Sequence, residues 1–356
     1  MSAKSFSLSF DEIIVFRPKR CAANIFSLIL SIGKTFPCGV VSPTSIAPLG
    51  ALGFICGIYI TNEYMLRREL LFRIEKLIGA KVESYRRVEG GYTPALRLLC
   101  KTTNADFFVK IGVTPLTSKF LNREIHIYNH LSGDFMPRLI GWENHESEPI
   151  LIIEDLSMHH WSPPWNQRQI DLTLAQINAL HNTTAKLESY GQVHGADEMN
   201  WQTVAADPKP FLSLGIADVK WLESALPNLI EFEENCSAAG KSLTHWDLRS
   251  DNICITSEKA IFVDWNLACL SNPKLDLGFW LPSLAYESGI KPEKILPDAP
   301  EVAAWVSGFF AARAGLPEIS DAPRVRTVQQ QQLTTALPWV VRALDLPPLP
   351  NKDLTR

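Results

Sequence analysis

The chain is 356 residues long, which is enough for two lobes that each bury a core, and its 46% hydrophobic content is ordinary for a globular protein. Its formal net charge of −4 gives no electrostatic argument for a nucleic-acid partner. The seven cysteines are scattered, without a CxxC pair or a Cys/His cluster. This pattern disfavours a zinc site and is more typical of a reduced compartment than of a disulfide framework.

The first 64 residues differ in composition from the rest of the chain. A basic patch at residues 17–20 precedes an apolar run over residues 21–33, and residues 35–62 contain no charged side chain. The uncharged stretch is long enough to span a bilayer, but its three prolines and four glycines make it a poor helix. Three interpretations stay open: a start assigned too far upstream, a membrane anchor, or an export signal or disordered tail. We expect a chain that begins at Met65 to fold without this segment.

From residue 65 the sequence has the periodicities of a small α+β unit. Residues 65–78 show the spacing of an amphipathic helix. Residues 82–88 and 95–100 are predicted to be strands, and the turn between them contains Gly90 and Gly91. A Gly-Gly turn is usually a simple hairpin, but glycines also let backbone N–H groups approach a phosphate closely. By itself the turn is a weak functional signal.

One lysine, Lys110, lies within the third predicted strand, over residues 106–111. A lone lysine in an apolar strand is more often a charge on an edge strand. Glu124, however, follows within a predicted helix over residues 117–131, so a strand-to-helix ion pair is a second interpretation. A further apolar strand over residues 149–156 ends in acidic residues and contains Glu154 and Leu156.

The C-terminal part has mainly helical periodicity. Helices are predicted at residues 172–190, 302–314 and 328–344, and two more within residues 211–236 are expected to be separated at Pro227. Residues 161–240 contain ten acidic and four basic side chains together with four tryptophans, which suits either a solvated helix face or a site for a cationic ligand. The solvated face is the favoured interpretation. Residues 297–356 balance six acidic against six basic side chains, so no acidic pocket is indicated there.

The stretch over residues 243–265 carries the strongest signal. Residues 252–255 and 260–264 are predicted to form the two strands of a hairpin around a polar break. Antiparallel pairing would bring Asn252 and Asp264 together at the open end, with Asp247 just upstream in a polar loop. Two carboxylates and one amide are therefore expected to converge.

The spacing His245-x-Asp247-x-x-x-x-Asn252 is the catalytic-loop signature of the kinase fold, in which the Asp accepts the proton of the attacking hydroxyl and the Asn holds a magnesium ion. Asp264 would supply a second hard oxygen ligand for Mg²⁺. An isolated His-x-Asp could be a polar loop before an ordinary hairpin. The asparagine at the fixed offset and the carboxylate after the next strand favour the catalytic interpretation.

With His-x-Asp-Leu-x-x-x-Asn followed by a strand that ends in Asp264-Trp265, the chain from about residue 70 onward resembles the aminoglycoside phosphotransferase and choline kinase-like small-molecule kinases. Protein kinases have Asp-Phe-Gly in place of Asp264-Trp265, and an Ala-Pro-Glu sequence follows it. This chain has neither. Trp246 is a departure, because the family commonly has glycine there. Asp276 stands where the family has an aspartate that braces the catalytic loop.

The resemblance implies ATP and Mg²⁺ as cofactors and a small-molecule hydroxyl as the phosphate acceptor. Asp247 would be the catalytic base, and Asn252 and Asp264 would hold the metal. Arg249 would steady the transferring phosphate or the base, or else brace the loop. The residues implied to contact the nucleotide are Gly90, Gly91, Lys110 with its partner Glu124, and the backbone from Glu154 to Leu156.

The sequence therefore predicts a two-lobed, protein-kinase-like α+β fold. A small antiparallel-sheet lobe is expected over residues 65–153 and a mainly helical lobe over residues 154–356, after the extension at residues 1–64. The expected activity is transfer of the γ-phosphate of ATP to a small molecule in the cytoplasm, or at a membrane if the extension is an anchor. The alternative is a catalytically silent nucleotide-binding module, against which the competent residues at every catalytic position argue.

Overall fold

The computed structural model describes residues 66–196, 199–320 and 322–351. The extension at residues 1–64 lies outside these ranges, and so do the three interpretations of it. Within the described ranges, no helix is long and apolar enough to cross a membrane. The predicted α+β architecture is present, because a five-stranded antiparallel sheet is followed by a mainly helical part.

The N-terminal sheet has the strand order β1-β2-β3-β5-β4. Its strands are β1 (Ser84–Arg87), β2 (Leu96–Lys101), β3 (Asp106–Ile111), β4 (Leu139–Glu143) and β5 (Ile150–Glu154). Side chains alternate between the two faces of a strand. Ile150 and Ile152 of β5 therefore join a small core with helix α1 (Arg68–Ile78), whereas Leu151 and Ile153 join the main core of the protein. The sheet is thus buried on both faces at β5.

The position of β3 decides between the two interpretations of Lys110. Lys110 lies opposite Arg97 of β2 on one side and Leu151 of β5 on the other, so it is in the middle of the sheet and is not an edge charge. Helix α2 (Pro115–His130) follows β3 and begins where Thr114 accepts a hydrogen bond from the backbone N–H of Thr117 (3.2 Å). This start places Glu124 on the buried face of α2.

Short strands frame the predicted catalytic hairpin. They are β6 (His160–Trp161), β7 (Ser242–Thr244), β8 (Ile253–Ile255), β9 (Ala260–Phe262) and β10 (Cys269–Ser271). The hairpin of β8 and β9 is confirmed, and the N–H of Val263 donates to the carbonyl of Asn252 (3.0 Å) just beyond it. β6 adds a third strand by pairing with β8, and β7 pairs with β10. The sequence did not predict the β6 pairing.

The helical part packs around one central helix. Its helices are α3 (Gln167–His181), α4 (Tyr190–Val193), α5 (Asn200–Ala206), α6 (Lys209–Leu212), α7 (Val219–Glu234), α8 (Pro273–Ser288), α9 (Pro300–Ala314) and α10 (Val325–Ala343). Nearly every residue of α9 is buried, as expected for a helix that is apolar all round. α9 packs against α5, α7, α8 and α10. The predictions for α9 and α10 are confirmed.

Two of the helix predictions were wrong. Pro227 does not separate two helices, because α7 runs through it with buried side chains such as Leu222 and Leu229 anchoring both halves. The helix predicted over residues 172–190 ends at His181. Ala185 and Leu187 continue its apolar spacing in non-helical backbone that packs against the main core, so the pattern reflected burial rather than helix.

Candidate active site

The loop between β7 and β8 is held in place by a buried carboxylate. Asp276, in the first turn of α8, accepts hydrogen bonds from the backbone N–H groups of His245 (3.1 Å) and Trp246 (2.7 Å). Its Oδ2 atom also lies 2.9 Å from Nε2 of His181. Asp276 therefore braces the loop, in the structural role expected for it.

Trp246 adopts a backbone conformation that favours glycine. Its φ angle is +64°, in the left-handed region, which costs a side-chain-bearing residue about 1–2 kcal/mol. Its ring is buried and meets Tyr190, Phe279 and Trp305 edge to face. The loop shape is thus the one that glycine adopts freely, and the tryptophan keeps it while adding an aromatic surface.

His245 joins the loop to the strand that leads to Asp264. Its Nε2 lies 3.0 Å from the carbonyl oxygen of Val263 and must donate to it, so Nδ1 is the nitrogen that accepts from the N–H of Asp247 (3.3 Å). Burial lowers the pKa of His245 to about 4, so the ring stays neutral and in this tautomer at physiological pH. His245 acts as a structural connector.

Asp247 is held by two neighbours of the same loop. Nδ2 of Asn252 donates to its carboxylate (3.0 Å) and to its carbonyl (2.9 Å), and Nη1 of Arg249 lies 3.4 Å from Oδ1. Arg249 also donates to Asp251 (3.0 Å). Burial raises the pKa of Asp247 to about 7, despite the opposing charge of Arg249. A carboxyl with that pKa is suited to exchange a proton near neutral pH.

Lys110 of β3 connects helix α2 to the segment that follows β9 through two short ion pairs. Its Nζ atom lies 2.7 Å from Glu124 of α2 and 2.7 Å from Asp264. Burial disfavours the ionised form of Asp264, but the charge and hydrogen bond of Lys110 outweigh it and lower the pKa of Asp264 to about 2. The structure thus brings the predicted pair Lys110 and Glu124 together and keeps Asp264 ionised beside them.

Asn252 and Asp264 have the chemistry of a magnesium site. Nδ2 of Asn252 is engaged with Asp247, which leaves its Oδ1 as the atom suited to a hard cation, and Lys110 engages only Oδ1 of Asp264. In the described ranges, no group of three or more His, Cys, Asp or Glu residues is arranged to hold a metal by itself. The two oxygens fit Mg²⁺, because this ion is commonly bound by one or two protein ligands together with phosphates and water.

The Gly-Gly turn lies over the cleft. Gly90 and Gly91 have φ angles of +137° and +70°, and a Cβ atom on Gly91 would come within 2.3 Å of the Arg97 guanidinium. The next residue, Tyr92, presents its ring to Arg249, whose Cζ lies 4.7 Å from the ring centroid. The tip of the turn therefore reaches the loop between β7 and β8 in a conformation that glycines allow.

Two cavities meet at these residues. The first measures about 420 Å³ and lies between the sheet and the hairpin. Its predicted lining residues are Gly90, Gly91, Lys110, Glu124, Glu154, Leu156, Asn252 and Asp264, all of which line it in the structure, as does Arg249. Trp161 of β6 lines it as well and was not predicted, because its place there depends on the pairing of β6 with β8 across more than 90 residues.

The second cavity measures about 210 Å³ and extends from Asp247 toward α8, α9 and α10. Its walls include Trp246, Phe279, Phe309 and Phe310. Sequence reasoning did not predict it, since apolar residues on these helices have the same spacing as core residues. None of the acidic side chains described within residues 161–240 lines either cavity.

The order of the sheet, the braced loop and the paired lysine define a kinase-like phosphotransferase fold. The sequence profile of the phosphotransferase enzyme family (APH) matches residues 84–318, and the chain belongs to this family. The predicted resemblance is therefore confirmed. No curated protein sequence matches the chain.

Solved structures with a similar fold include two antibiotic phosphotransferases. A ternary complex of aminoglycoside phosphotransferase APH(4)-Ia with AMP-PNP and hygromycin B has a TM-score of 0.52 at 15% identity, covering 76% of this chain and 98% of that one. Spectinomycin phosphotransferase APH(9)-Ia with ADP and spectinomycin has a TM-score of 0.51 at 11% identity, covering 80% and 100%. At these identities the similarity establishes the fold.

Proposed function

We propose that this protein transfers the γ-phosphoryl group of ATP to a hydroxyl group of a small molecule, with Mg²⁺ as the metal. One observation carries the proposal: Asn252 lines only the first cavity, Asp247 lines only the second, and Lys110, Arg249 and Asp264 line both. A nucleotide in the first cavity and an acceptor in the second would therefore meet beside the base, with cations on either side.

The first cavity has the parts that a nucleoside triphosphate needs. Lys110 would neutralise phosphate charge, and Glu124 would keep its ammonium group in place. Gly90 and Gly91 would let backbone N–H groups approach the phosphates. The adenine would lie against Trp161 and hydrogen-bond the backbone between Glu154 and Leu156. The family relationship and the nucleotides bound by the similar structures, AMP-PNP and ADP, support ATP in this place.

The metal would be held by Asn252 and Asp264. A Mg²⁺ ion held there would supply positive charge that stabilises the negative charge developing on the phosphates. The low pKa of Asp264 keeps this ligand ionised at all physiological pH values.

The remaining chemistry is positioning and proton transfer. Asp247 would accept the hydrogen bond and then the proton of the acceptor hydroxyl, and its pKa of about 7 suits that task. Arg249 lines both cavities and lies 3.4 Å from Asp247, so it would stabilise the transferring phosphoryl group. Because phosphoryl transfer depends mainly on alignment and charge, this chain's residues need no covalent intermediate.

We propose residues 65–153 and 154–356 as the two lobes, and propose that residues 1–64 contribute nothing to catalysis, since every residue with an assigned role lies beyond them. A protein that consumes ATP is best placed in the cytoplasm, whether or not the extension anchors it.

Paired substitutions test the roles. In Asp247→Asn, we expect turnover to fall roughly 10²–10⁴-fold while the Kd for Mg·AMP-PNP stays within twofold, because the base contacts the acceptor. In Asp264→Asn, we expect that Kd to rise at least tenfold. Acceptor-dependent ADP release and calorimetry measure the two effects, and Glu258→Gln, an exposed acid in the turn of the same hairpin, is the control.

Near-normal turnover in Asp247→Asn would contradict the role given to Asp247. The silent nucleotide-binding module would be favoured by a protein that binds Mg·AMP-PNP tightly, forms no phosphorylated product with any acceptor, and is indifferent to Asp247→Asn.

A further inference from the structure

The cavity beside Asp247 has an almost uncharged lining. Its only charged residues within the described ranges are Lys110, Asp247, Arg249 and Asp264. These four pair with one another, since Lys110 lies 2.7 Å from Asp264 and Arg249 lies 3.4 Å from Asp247. No other described carboxylate lines this cavity to receive an ammonium group. A cationic acceptor would therefore lose its hydration there without a dedicated partner.

The aromatic wall is not arranged as a cage for a quaternary ammonium group. Such a site needs ring faces that are open to the cation. One face of Phe309 lies against the Arg313 guanidinium, 4.2 Å from the ring centroid, and Phe309 is also stacked on Trp305 with an interplanar angle of 10°. Phe279 meets Trp246 edge to face. These rings contact one another instead of leaving their faces open to a ligand, and the Arg313 guanidinium would repel a second cation.

Trp246 shows that the chain sustains this apolar wall at a cost. Its left-handed φ angle would be free of strain with glycine, yet the ring stays buried among other aromatic rings and lines the cavity. Unfavourable backbone conformations that persist are concentrated at functional positions. The observed strain at Trp246 is therefore consistent with a function for its ring in binding.

Apart from the four charged residues, the polar side chains that line this cavity are neutral. Gln332 of α10 is only 5% exposed, lines the cavity, and its Oε1 has no hydrogen-bond partner in the described part of the chain. Oε1 of its neighbour Gln329, in contrast, accepts from Arg326 (2.9 Å). Gln332 thus adds a neutral amide, and no charge, to the wall of the cavity. The volume of about 210 Å³ is below the roughly 300–1,000 Å³ of sites for drug-sized molecules.

Resting on the proposed phosphotransferase function, we infer that the acceptor is an uncharged alcohol with a compact, apolar body. Its hydroxyl oxygen forms a bond to the γ-phosphorus as the bond from that phosphorus to the β–γ bridging oxygen breaks and ADP leaves. The hydroxyl proton passes to Asp247. The products are ADP and a phosphate monoester of the alcohol.

A matched pair of probes tests the acceptor class. Cyclohexylmethanol and 4-(hydroxymethyl)piperidine have nearly the same shape and the same primary hydroxyl, but the second carries a positive charge at neutral pH. With ATP and Mg²⁺, we expect kcat/KM for cyclohexylmethanol to be at least tenfold higher, measured as phosphate ester by mass spectrometry. Choline, glucose and a polycationic aminoglycoside are expected to be poorer than cyclohexylmethanol.

A pair of substitutions on α10 tests the site. Gln332→Glu places a carboxylate in the cavity with little change of shape, and Gln331→Glu places one on the exposed side of the same helix. We expect Gln332→Glu to lower kcat/KM for cyclohexylmethanol at least tenfold. The ratio of kcat/KM for cyclohexylmethanol to kcat/KM for 4-(hydroxymethyl)piperidine should decrease as well. Gln331→Glu should leave both values within twofold, and the KM for ATP should stay unchanged in both proteins.

The outcomes separate the two proposals. Equal or better use of the piperidine alcohol, choline, glucose or the aminoglycoside would overturn the inferred acceptor class and leave the phosphotransferase function intact, because product forms. Equal effects of Gln332→Glu and Gln331→Glu would overturn the assigned site. If no probe is phosphorylated, binding decides the inferred class: cyclohexylmethanol but not the piperidine alcohol should raise the Tm of the Mg·AMP-PNP complex, and an equal or absent rise overturns it.

Discussion

The first cavity, proposed for the nucleotide, and the second, proposed for the acceptor, share a wall but differ in the chemistry of their linings. The first relies on charged and polar groups from the sheet and the hairpin, among them Lys110, Asn252 and Asp264. The second relies on aromatic and aliphatic groups from α8, α9 and α10. Phosphates and Mg²⁺ require charges at fixed geometry, whereas an apolar ligand requires only surface. The difference explains why one side of the cleft has a sequence motif and the other has none.

The largest effect is expected on the charged side. Lys110→Met would leave Glu124 and Asp264 facing each other without their shared cation. Removing one partner of a buried pair typically costs about 3–5 kcal/mol of folding free energy, and we expect the Kd for Mg·AMP-PNP to rise at least 100-fold. Urea unfolding and calorimetry measure both. Lys119→Met, at an exposed position of α2, should change neither the folding free energy nor the Kd for Mg·AMP-PNP. Unaltered nucleotide binding in Lys110→Met would contradict the role proposed for Lys110.

A smaller effect is expected on the apolar side. Phe309→Leu would trim the wall of the acceptor cavity, lowering kcat/KM for the acceptor at least tenfold and stability by roughly 1–2 kcal/mol, with the KM for ATP unchanged. Two-substrate initial rates and thermal unfolding measure these quantities. Phe72→Leu is the matched control, because Phe72 is exposed on α1. A change in the KM for ATP that equals the change for the acceptor would mean that the cavities are not separate.

A moderate effect is expected on the pH dependence of the reaction, through Asp247 of the second cavity. Burial raises the pKa of Asp247 to about 7 from a usual 3.8, so the carboxylate becomes protonated as pH falls through 7 and can no longer accept a proton. We expect kcat/KM, which reports ionisation in the free enzyme, to fall about tenfold per unit below pH 7 and to be level above it. A profile that stays level down to pH 5 would contradict the proposed role of Asp247.

Much of the charged side could be predicted from the sequence. The strand over residues 106–111 and the hairpin around residues 256–259 were placed correctly, and the strand lysine and helix glutamate meet at 2.7 Å. These features are encoded locally, by strand periodicity, turn residues and short spacings. The bracing of the loop by Asp276 also agrees with its expected structural role.

The remaining features depend on contacts between distant segments. Trp161 lines the first cavity because its strand pairs with Cys254, and no local pattern signals such a contact. Pro227 did not end a helix, because packing on both sides of it outweighs the local preference. Phe279 and Phe309 line the acceptor cavity, but their spacing is that of any buried helix face. Binding surface and core are chemically alike on that side of the cleft.

A crystal structure of the protein with AMP-PNP, Mg²⁺ and an alcohol that it phosphorylates would show which substrate each cavity holds. We predict the triphosphate beside Lys110, Mg²⁺ at about 2.0–2.1 Å from Oδ1 of Asn252 and from the Asp264 carboxylate, and the alcohol oxygen at roughly 2.6–3.2 Å from the Asp247 carboxylate with its body against Phe309. An alcohol bound away from Asp247, or a metal held by other residues, would contradict the proposed roles of Asp247, Asn252 and Asp264.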